Sequence, residues 1–245
     1  MKFSYDAYKA LLFLLKSQNY EIKDYATWQT ADRCVILRHD IDNDIEKATR
    51  LAQVEQQCGA KSTYFVLLTS DFYNVFSANS QRKLQKILQC GHDIGLHFDE
   101  MRYPDLVGNI EKLQEKILQE MCLLETAIGK PVTAVSMHRP SKQMLEANIQ
   151  LPGGGFNSYS KVFFHEFKYL SDSRRNWREP VVDIVKSGEY KRLHILTHAF
   201  WYETEEENQH DTIEKFVNNA NRERYLQLKD NITDLESIMK WCEVQ

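Results

Sequence analysis

The sequence predicts an α/β fold, a single-domain distorted (β/α) barrel with about seven parallel strands. Two observations support this prediction. Short segments rich in β-branched and aromatic residues alternate along the chain with longer segments of helical period. The alternation is not interrupted by a linker, a low-complexity tract or a short-period repeat, so we expect one domain over residues 1–245.

Helices are predicted from the spacing of apolar residues and from the residues that end each segment. The clearest helix covers residues 109–128, where apolar side chains recur every three or four positions until Gly129 and Pro131 end it. The same criteria predict an N-terminal helix and a C-terminal helical region. The predicted helices cover about residues 4–17, 44–57, 80–90, 109–128 and 210–241.

Strands are predicted where β-branched and aromatic residues are concentrated, over residues 34–40, 62–68, 92–98, 132–137, 162–172 and 191–197. In an α/β barrel the chemistry lies at the C-terminal ends of the strands. Metal-binding and acid–base side chains follow these ends in the sequence, so we expect them to meet at one edge of the sheet. They are Asp40, Asp42, His97, His138, Arg139, Asp172 and His198.

Charge and cysteine content exclude several classes of protein. The formal net charge is -4, which does not fit a protein that follows nucleic-acid phosphates. The five cysteines are widely spaced, as in reduced thiols of a cytoplasmic protein, and they do not predict a zinc–cysteine site. The apolar run over residues 10–15 is too short for a signal peptide or a membrane span. We therefore expect a cytoplasmic protein without a membrane span or a nucleic-acid partner.

Two aspartates at the end of the first strong strand are the most informative feature of the sequence. Asp40 and Asp42 are two residues apart, so on a strand both carboxylates point to the same face. Such a pair can bind a metal ion, or one carboxylate can bind the ion while the other transfers protons. Burying both without a cation is costly, because like charges raise each other's pKa.

Histidines at other strand ends offer partners for this pair. His97 ends one predicted strand and His138 ends another, so either can complete a metal site with an aspartate. Arg139 is predicted to pair with a buried carboxylate and keep it ionised. The alternative interpretation is that these residues are structural or lie on the surface.

A histidine followed by aromatic residues ends the last predicted strand. His198 is suited to donate a proton, and Trp201 is suited to stack on a sugar ring. The alternative is an aromatic core patch around a structural histidine.

The order of these motifs resembles the polysaccharide deacetylases, the chitooligosaccharide deacetylase homology group also called carbohydrate esterase family 4. In that family the first motif supplies a base aspartate and a metal-binding aspartate, and residues 38–42 (Arg-His-Asp-Ile-Asp) resemble a variant of it. The second motif typically reads Gly-His-Glu-Ile-Gly-Asn-His, and residues 91–97 read Gly-His-Asp-Ile-Gly-Leu-His. The resemblance extends from about Leu37 to Tyr202.

Three shorter motifs complete the resemblance. Arg139, followed by proline, matches the third motif, whose arginine holds the base. Asp172 with Trp177 resembles the fourth, which pairs an aspartate with a tryptophan of the substrate groove. His198, two residues after a leucine, matches the histidine acid of the fifth.

The resemblance implies a metal-dependent hydrolase that removes an N-acetyl group from a sugar or oligosaccharide, using one divalent metal ion, Zn²⁺. The substrate would belong to cytoplasmic glycan or surface-polysaccharide biosynthesis. The implied roles are Asp40 as the base, Arg139 as its partner, Asp42 and His97 as metal ligands, His198 with Asp172 as the acid, and Trp177 and Trp201 as sugar contacts.

One position departs from the family pattern. The family has a further ligand histidine four residues beyond His97, and this chain has Met101, whose thioether is a poor replacement for an imidazole on zinc. We predict that His138 supplies the third ligand, with Asp99 as the alternative.

The departure leaves a second functional hypothesis open, a non-catalytic carbohydrate-binding relative with an altered metal site. A third hypothesis takes residues 40–42 as the Asp-X-Asp motif of a glycosyltransferase, but it explains neither His97 nor His198.

Overall fold

Eight parallel strands form the sheet of this protein in the computed structural model, which describes residues 1–244. Seven of them lie in the order β6-β5-β4-β3-β2-β8-β7, and β1 pairs with the first half of β2 outside this order. The strands are β1 (Glu21–Lys23), β2 (Cys34–Ile41), β3 (Thr63–Leu67), β4 (Asp93–Phe98), β5 (Ala134–Met137), β6 (Phe156–Asn157), β7 (Lys168–Ser171) and β8 (Arg192–Thr197).

The predicted distorted barrel is confirmed, because the seven strands form a curled half-barrel surrounded by helices. The sheet belongs to the first of two compact units, Met1–Thr204, and the second unit begins at Glu205. The helices of the first unit are α1 (Tyr5–Ser17), α2 (Ile45–Gln57), α3 (Ala78–Gln89), α4 (Ile110–Ile128), α5 (Lys142–Ala147), α6 (Lys161–His165) and α7 (Val181–Ser187).

Local sequence explains where the main helices begin and end. Asp44 caps α2 by accepting hydrogen bonds from the backbone N–H groups of Glu46 and Lys47. Asn109 caps α4 in the same way, and Gly129 ends that helix in the left-handed conformation that glycine adopts without a steric penalty.

The predicted strand over residues 162–172 is wrong in its first half, where α6 lies, and β7 covers only the last part. The aromatic residues that suggested a strand belong to the short helix α6, in which Phe163 is buried and Phe164 is exposed. A short apolar run does not distinguish a strand from a buried helical turn.

The second unit contains α8 (Gln209–Lys229) and α9 (Leu235–Ile238), in the region predicted to be helical. The hydroxyl of Tyr225 on α8 donates a hydrogen bond to the carbonyl of Met239, just after α9, at 2.7 Å. This bond ties the two helices together. No helix within residues 1–244 is both long enough and apolar enough to cross a bilayer.

The two faces of β2 lie in different environments, because successive side chains of a strand alternate. On the face towards the helices, His39 contacts Glu55 of α2, with its Nε2 2.9 Å from Oε1. The carboxylate of Glu55 also accepts hydrogen bonds from hydroxyl groups of the core, which are those of Tyr8, Ser62 and Tyr64. Burial raises the pKa of Glu55, but the contacts with His39 outweigh it and lower the pKa to about 2. This network is fully buried and fixes β2 against α2.

Candidate metal-binding and catalytic site

The inner face of β2 changes from apolar to charged along the strand. Cys34 and Ile36 belong to an aromatic-rich cluster inside the half-barrel. Arg38 and Asp40 continue the same face, and Asp42 follows directly after the end of the strand. The apolar residues therefore lie inside the half-barrel near the start of β2, and the charged residues lie near the C-terminal edge of the sheet.

Arg38 forms a bidentate ion pair with Asp40. Its Nε donates to Oδ1 at 3.0 Å, and its Nη2 donates to Oδ2 at 2.8 Å. Both side chains are almost inaccessible to solvent, at 0% and 4% exposure. Burial raises the pKa of Asp40, but the positive charge of Arg38 outweighs this effect and lowers it, so the carboxylate is ionised.

Each of the two terminal nitrogens of Arg38 also donates to a serine hydroxyl, which offsets the cost of burying the guanidinium. Nη1 donates to the hydroxyl of Ser158 at 3.0 Å, and Nη2 donates to the hydroxyl of Ser136 at 2.5 Å. The guanidinium carbon lies 4.9 Å from the ring centre of Tyr159. Arg38 is thus held on all sides inside the half-barrel.

The prediction that Arg139 keeps Asp40 ionised is wrong, because Arg38 occupies both carboxylate oxygens. Arg139 follows the end of β5 in the left-handed conformation, with φ of 48°, and its side chain is exposed. It lines the open cavity beside Asp42 and His138 instead. The spacing of Arg38 and Asp40, two residues apart on one strand, was the signal in the sequence that pointed to the true partner.

Asp42, His97 and His138 meet at the C-terminal edge of the sheet. Nε2 of His97 lies 3.3 Å from Oδ1 of Asp42 and 3.1 Å from Nδ1 of His138. Nδ1 of His138 lies 3.5 Å from the same Oδ1. These three atoms form a nearly equilateral group, which we call the donor triangle.

The donor triangle fits a divalent ion on two grounds. Ligands at about 2.0–2.1 Å around a tetrahedral ion lie about 3.3 Å apart, which matches the sides of the triangle. In addition, Oδ1 of Asp42 is buried and has no hydrogen-bond partner among the described residues, so a cation would satisfy it. Two imidazoles and one carboxylate also form the donor set of many catalytic zinc sites.

Asp99, the alternative ligand, lies outside the donor triangle. Its Oδ1 accepts a hydrogen bond from the backbone N–H of Met101 at 3.0 Å and caps a short 3₁₀ turn. Met101 itself is 61% exposed and lines the cavity.

Asp172 and His198 form a second pair at the same edge of the sheet. Nδ1 of His198 lies 2.7 Å from Oδ1 of Asp172, which also accepts a hydrogen bond from the His198 backbone N–H at 3.0 Å. Burial lowers the pKa of His198, but the hydrogen bond and the charge of Asp172 outweigh it, and the pKa rises to about 9. The other ring nitrogen, Nε2, lies 3.9 Å from Oδ2 of Asp42. The pair of Asp172 and His198 therefore lies next to the donor triangle.

An open cavity of about 350 Å³ adjoins the donor triangle. Its apolar lining includes the exposed side chains of Phe72 and Met101. Trp177 and Trp201, the predicted sugar contacts, are not among the residues that line this cavity in the described part of the chain. Trp177 is half-buried and packs on the core, and the ring of Trp201 lies 4.7 Å from that of Phe200.

Comparison with solved structures identifies similar folds. A CE4 esterase (carbohydrate esterase family 4) from Streptococcus mutans aligns with 71% of this chain and 77% of its own, with a TM-score of 0.51 at 16% identity. The chain has the carbohydrate esterase family 4 fold. This likeness establishes the fold alone.

Two other solved structures are similar at lower TM-scores. The catalytic domain of a peptidoglycan N-acetylglucosamine deacetylase from Eubacterium rectale covers 79% of this chain and 88% of its own, with a TM-score of 0.46 at 16% identity. A CE4 family pseudoenzyme from Bacillus anthracis covers 77% and 62%, with a TM-score of 0.45 at 13% identity. No protein-family profile matches the chain. No relative was found among curated proteins.

Within the CE4 fold, this chain differs from the family motifs at two positions of the site. The motif histidine is replaced by Met101, and His138 completes the donor triangle from the neighbouring strand end. The arginine that pairs with Asp40 comes from β2 and not from the segment after β5. Ser136, Ser158 and Phe72 were also not identified from the sequence. Serine and phenylalanine are common residues, and these three do not form a spaced motif in the sequence.

Proposed function

We propose that this protein is a divergent CE4 member, a metal-dependent hydrolase that removes the acetyl group from the nitrogen of an N-acetylated sugar. The observation that carries the proposal is the meeting of three kinds of group at one sheet edge. The donor triangle offers a metal site, Asp40 offers an ionised carboxylate, and His198 offers an imidazole. Metal-assisted hydrolysis of an unactivated amide can use all three kinds of group: the ion polarises the carbonyl, one side chain takes a proton from water, and the other gives a proton to the leaving nitrogen.

The ion would be held by Asp42, His97 and His138. When bound, a divalent ion polarises an acetyl carbonyl and makes water more acidic, and zinc is the proposed metal. Asp40 lies beside this position, with its Oδ2 3.6 Å from Nε2 of His97. It accepts the proton of the attacking water, and Arg38 keeps it charged and oriented for that step.

His198 acts on the leaving nitrogen. As the carbon–oxygen bond to water forms and the carbon–nitrogen bond breaks, Nε2–H of His198 donates a proton to the sugar amine. Asp172 fixes the ring through Nδ1 and leaves Nε2 to face the site. The products are acetate and a free amino sugar.

The sugar is proposed to bind in the open cavity. Phe72 and Met101 provide apolar surface for a pyranose ring, and Arg139 lies at the same cavity.

We place the reaction in the cytoplasm as part of the same proposal. The five cysteines are free thiols, three of them buried, which fits a reducing compartment. Cytoplasmic substrates with an N-acetyl sugar include nucleotide-linked sugars, lipid-linked precursors and oligosaccharide intermediates of glycan assembly.

Metal analysis combined with acetate release tests the proposal. Elemental analysis of purified protein is expected to give about one divalent ion per chain. Incubation with N-acetylglucosamine oligosaccharides and nucleotide-linked N-acetyl sugars is expected to release acetate from at least one class. Protein that carries the ion and releases no acetate from either class would contradict the proposal.

A non-catalytic carbohydrate-binding role is the second candidate, and Met101 at a ligand position of the family favours it. This candidate predicts sugar binding without acetate release. The glycosyltransferase interpretation needs both Asp40 and Asp42 free for one ion, and the bidentate ion pair between Arg38 and Asp40 disfavours it.

A further inference from the structure

Ser136 lies between the ion pair and the donor triangle. It is on β5, directly across from His97 on β4 in the strand register, and it is fully buried. Its Oγ is 2.5 Å from Nη2 of Arg38 and 3.0 Å from Nδ1 of His97. One hydroxyl thus contacts the partner of the proposed base and a proposed metal ligand.

The donors and acceptors around this hydroxyl limit how it can bond. A guanidinium has only donors, so Arg38 donates to one lone pair of the Ser136 oxygen. A neutral imidazole carries one proton, on either Nδ1 or Nε2. Nε2 of His97 faces the donor triangle, so binding an ion there requires that its lone pair is free and that the proton is on Nδ1. The second lone pair of the Ser136 oxygen can then accept that Nδ1–H.

We propose that Ser136 is a positioning residue that couples the base to the metal site by accepting hydrogen bonds from both Arg38 and His97. This inference rests on the proposed function for its metal ion. By accepting the Nδ1–H, the hydroxyl stabilises the imidazole tautomer of His97 whose Nε2 lone pair is free to bind the ion. It also holds the guanidinium of Arg38 against Asp40. Partners that fix a ligand histidine in this way typically change metal affinity or activity about 10–100-fold when they are removed.

The chain offers a matched control in Ser158. Its hydroxyl accepts a hydrogen bond from Nη1 of Arg38 at 3.0 Å and is also fully buried. The structure records no contact between Ser158 and His97 among the described residues. Loss of either serine leaves one donor of Arg38 unsatisfied, but only loss of Ser136 removes the partner of His97. If both serines only support Arg38, the two alanine variants should affect the metal site equally.

Zinc titration of the metal-free proteins, in competition with a chelator, distinguishes a role of Ser136 at His97 from a role that is limited to supporting Arg38. The measurement needs no substrate. Ser136→Ala is expected to weaken zinc binding about 10–100-fold, whereas Ser158→Ala is expected to remain within about threefold of the unsubstituted protein. Equal zinc affinities for the two variants, whether both high or both low, would overturn the inference.

The tautomer can be read directly in the unsubstituted protein, which covers the case that Ser136→Ala does not fold. In zinc-loaded protein labelled with ¹⁵N-histidine, NMR is expected to show His97 protonated at Nδ1 and unprotonated at Nε2. A proton on Nε2, or failure of the protein to bind zinc, would overturn the inference. If the protein binds zinc with His97 protonated at Nδ1 but releases no acetate, the inference about Ser136 is supported and only the deacetylase assignment is overturned.

Discussion

Arg38 and Asp40, two residues apart on β2, face each other inside the half-barrel through two parallel hydrogen bonds of 3.0 and 2.8 Å. A bidentate pair of this kind fixes the plane of the carboxylate as well as its charge. The pair is buried, so its two members depend on each other: a lone carboxylate or a lone guanidinium at this depth is uncompensated.

Replacing Arg38 is therefore expected to be costly. Arg38→Met keeps much of the side-chain volume but leaves Asp40 buried without its partner, and we expect the free energy of unfolding to fall by about 3–5 kcal/mol. Urea unfolding measures this loss. Arg139→Met is the control, with an expected change within about 0.5 kcal/mol, because Arg139 is exposed. Equal losses in the two variants would contradict the assignment of Arg38 as the partner of Asp40.

Replacing the base should separate activity from metal binding. Asp40→Asn keeps the shape of the side chain but removes its ability to take a proton. We expect the zinc content to be retained and acetate release to fall roughly 10²–10⁴-fold, the usual scale for loss of a general base. An Asp40→Asn protein with normal activity would rule out this role.

The third metal ligand can be assigned by comparing two alanine variants. His138→Ala removes one corner of the donor triangle, so we expect it to lose the ion. Asp99→Ala should keep the ion, because Asp99 caps a turn outside the triangle. Elemental analysis of both proteins measures this difference, and the reverse pattern would make Asp99 the ligand.

The proton donor can be tested with two kinds of substrate. His198→Ala is expected to leave the metal content unchanged and to lower hydrolysis of an N-acetyl sugar strongly, because an amine needs a proton to leave. Hydrolysis of an acetylated phenol with an electron-withdrawing group should fall much less, since that leaving group needs little protonation. Equal losses on both substrates, or loss of the metal, would assign His198 a different role.

Glu120 on α4 should make stability depend on pH. Burial raises the pKa of this carboxyl to about 7, although Tyr103 donates a hydrogen bond to its Oε1 at 2.5 Å. The folded protein holds this proton more tightly than the unfolded chain, whose carboxyl has a pKa near 4.5. The stabilisation is therefore complete below pH about 4.5 and is lost as the pH rises through about 7.

Glu120→Gln removes this ionisation, so the variant should gain stability relative to the unsubstituted protein between pH 5 and pH 8. The gain is at most about 3.5 kcal/mol, because the two pKa values differ by about 2.5 and each pKa unit corresponds to about 1.4 kcal/mol. Urea unfolding at both pH values measures it. If the two proteins differ in stability by the same amount at pH 5 and at pH 8, Glu120 is already ionised in the folded protein at pH 5.

The sequence predicted the sheet well because its strands are short apolar runs between clear helix ends, and it placed Asp40, His97 and His198 at the strand ends. It did not predict which side chains contact each other there. Arg139 was preferred as the partner of Asp40 because it matches a family motif, although Arg38 shares a strand face with the aspartate. The direction of a side chain after a strand end depends on local backbone angles, such as the positive φ of Arg139, and the sequence does not give these angles.

The alternation along β2 also limits how this protein can change by insertion or deletion. Its inner face carries Arg38 and Asp40, and the residue between them, His39, binds Glu55 on the outer face. A single residue gained or lost within β2, between Cys34 and Arg38, would exchange these faces, so the imidazole would enter the half-barrel and both charged groups would enter the helix layer. Length variation among natural or engineered homologues should therefore be confined to segments outside β2, such as the loop around Gly153.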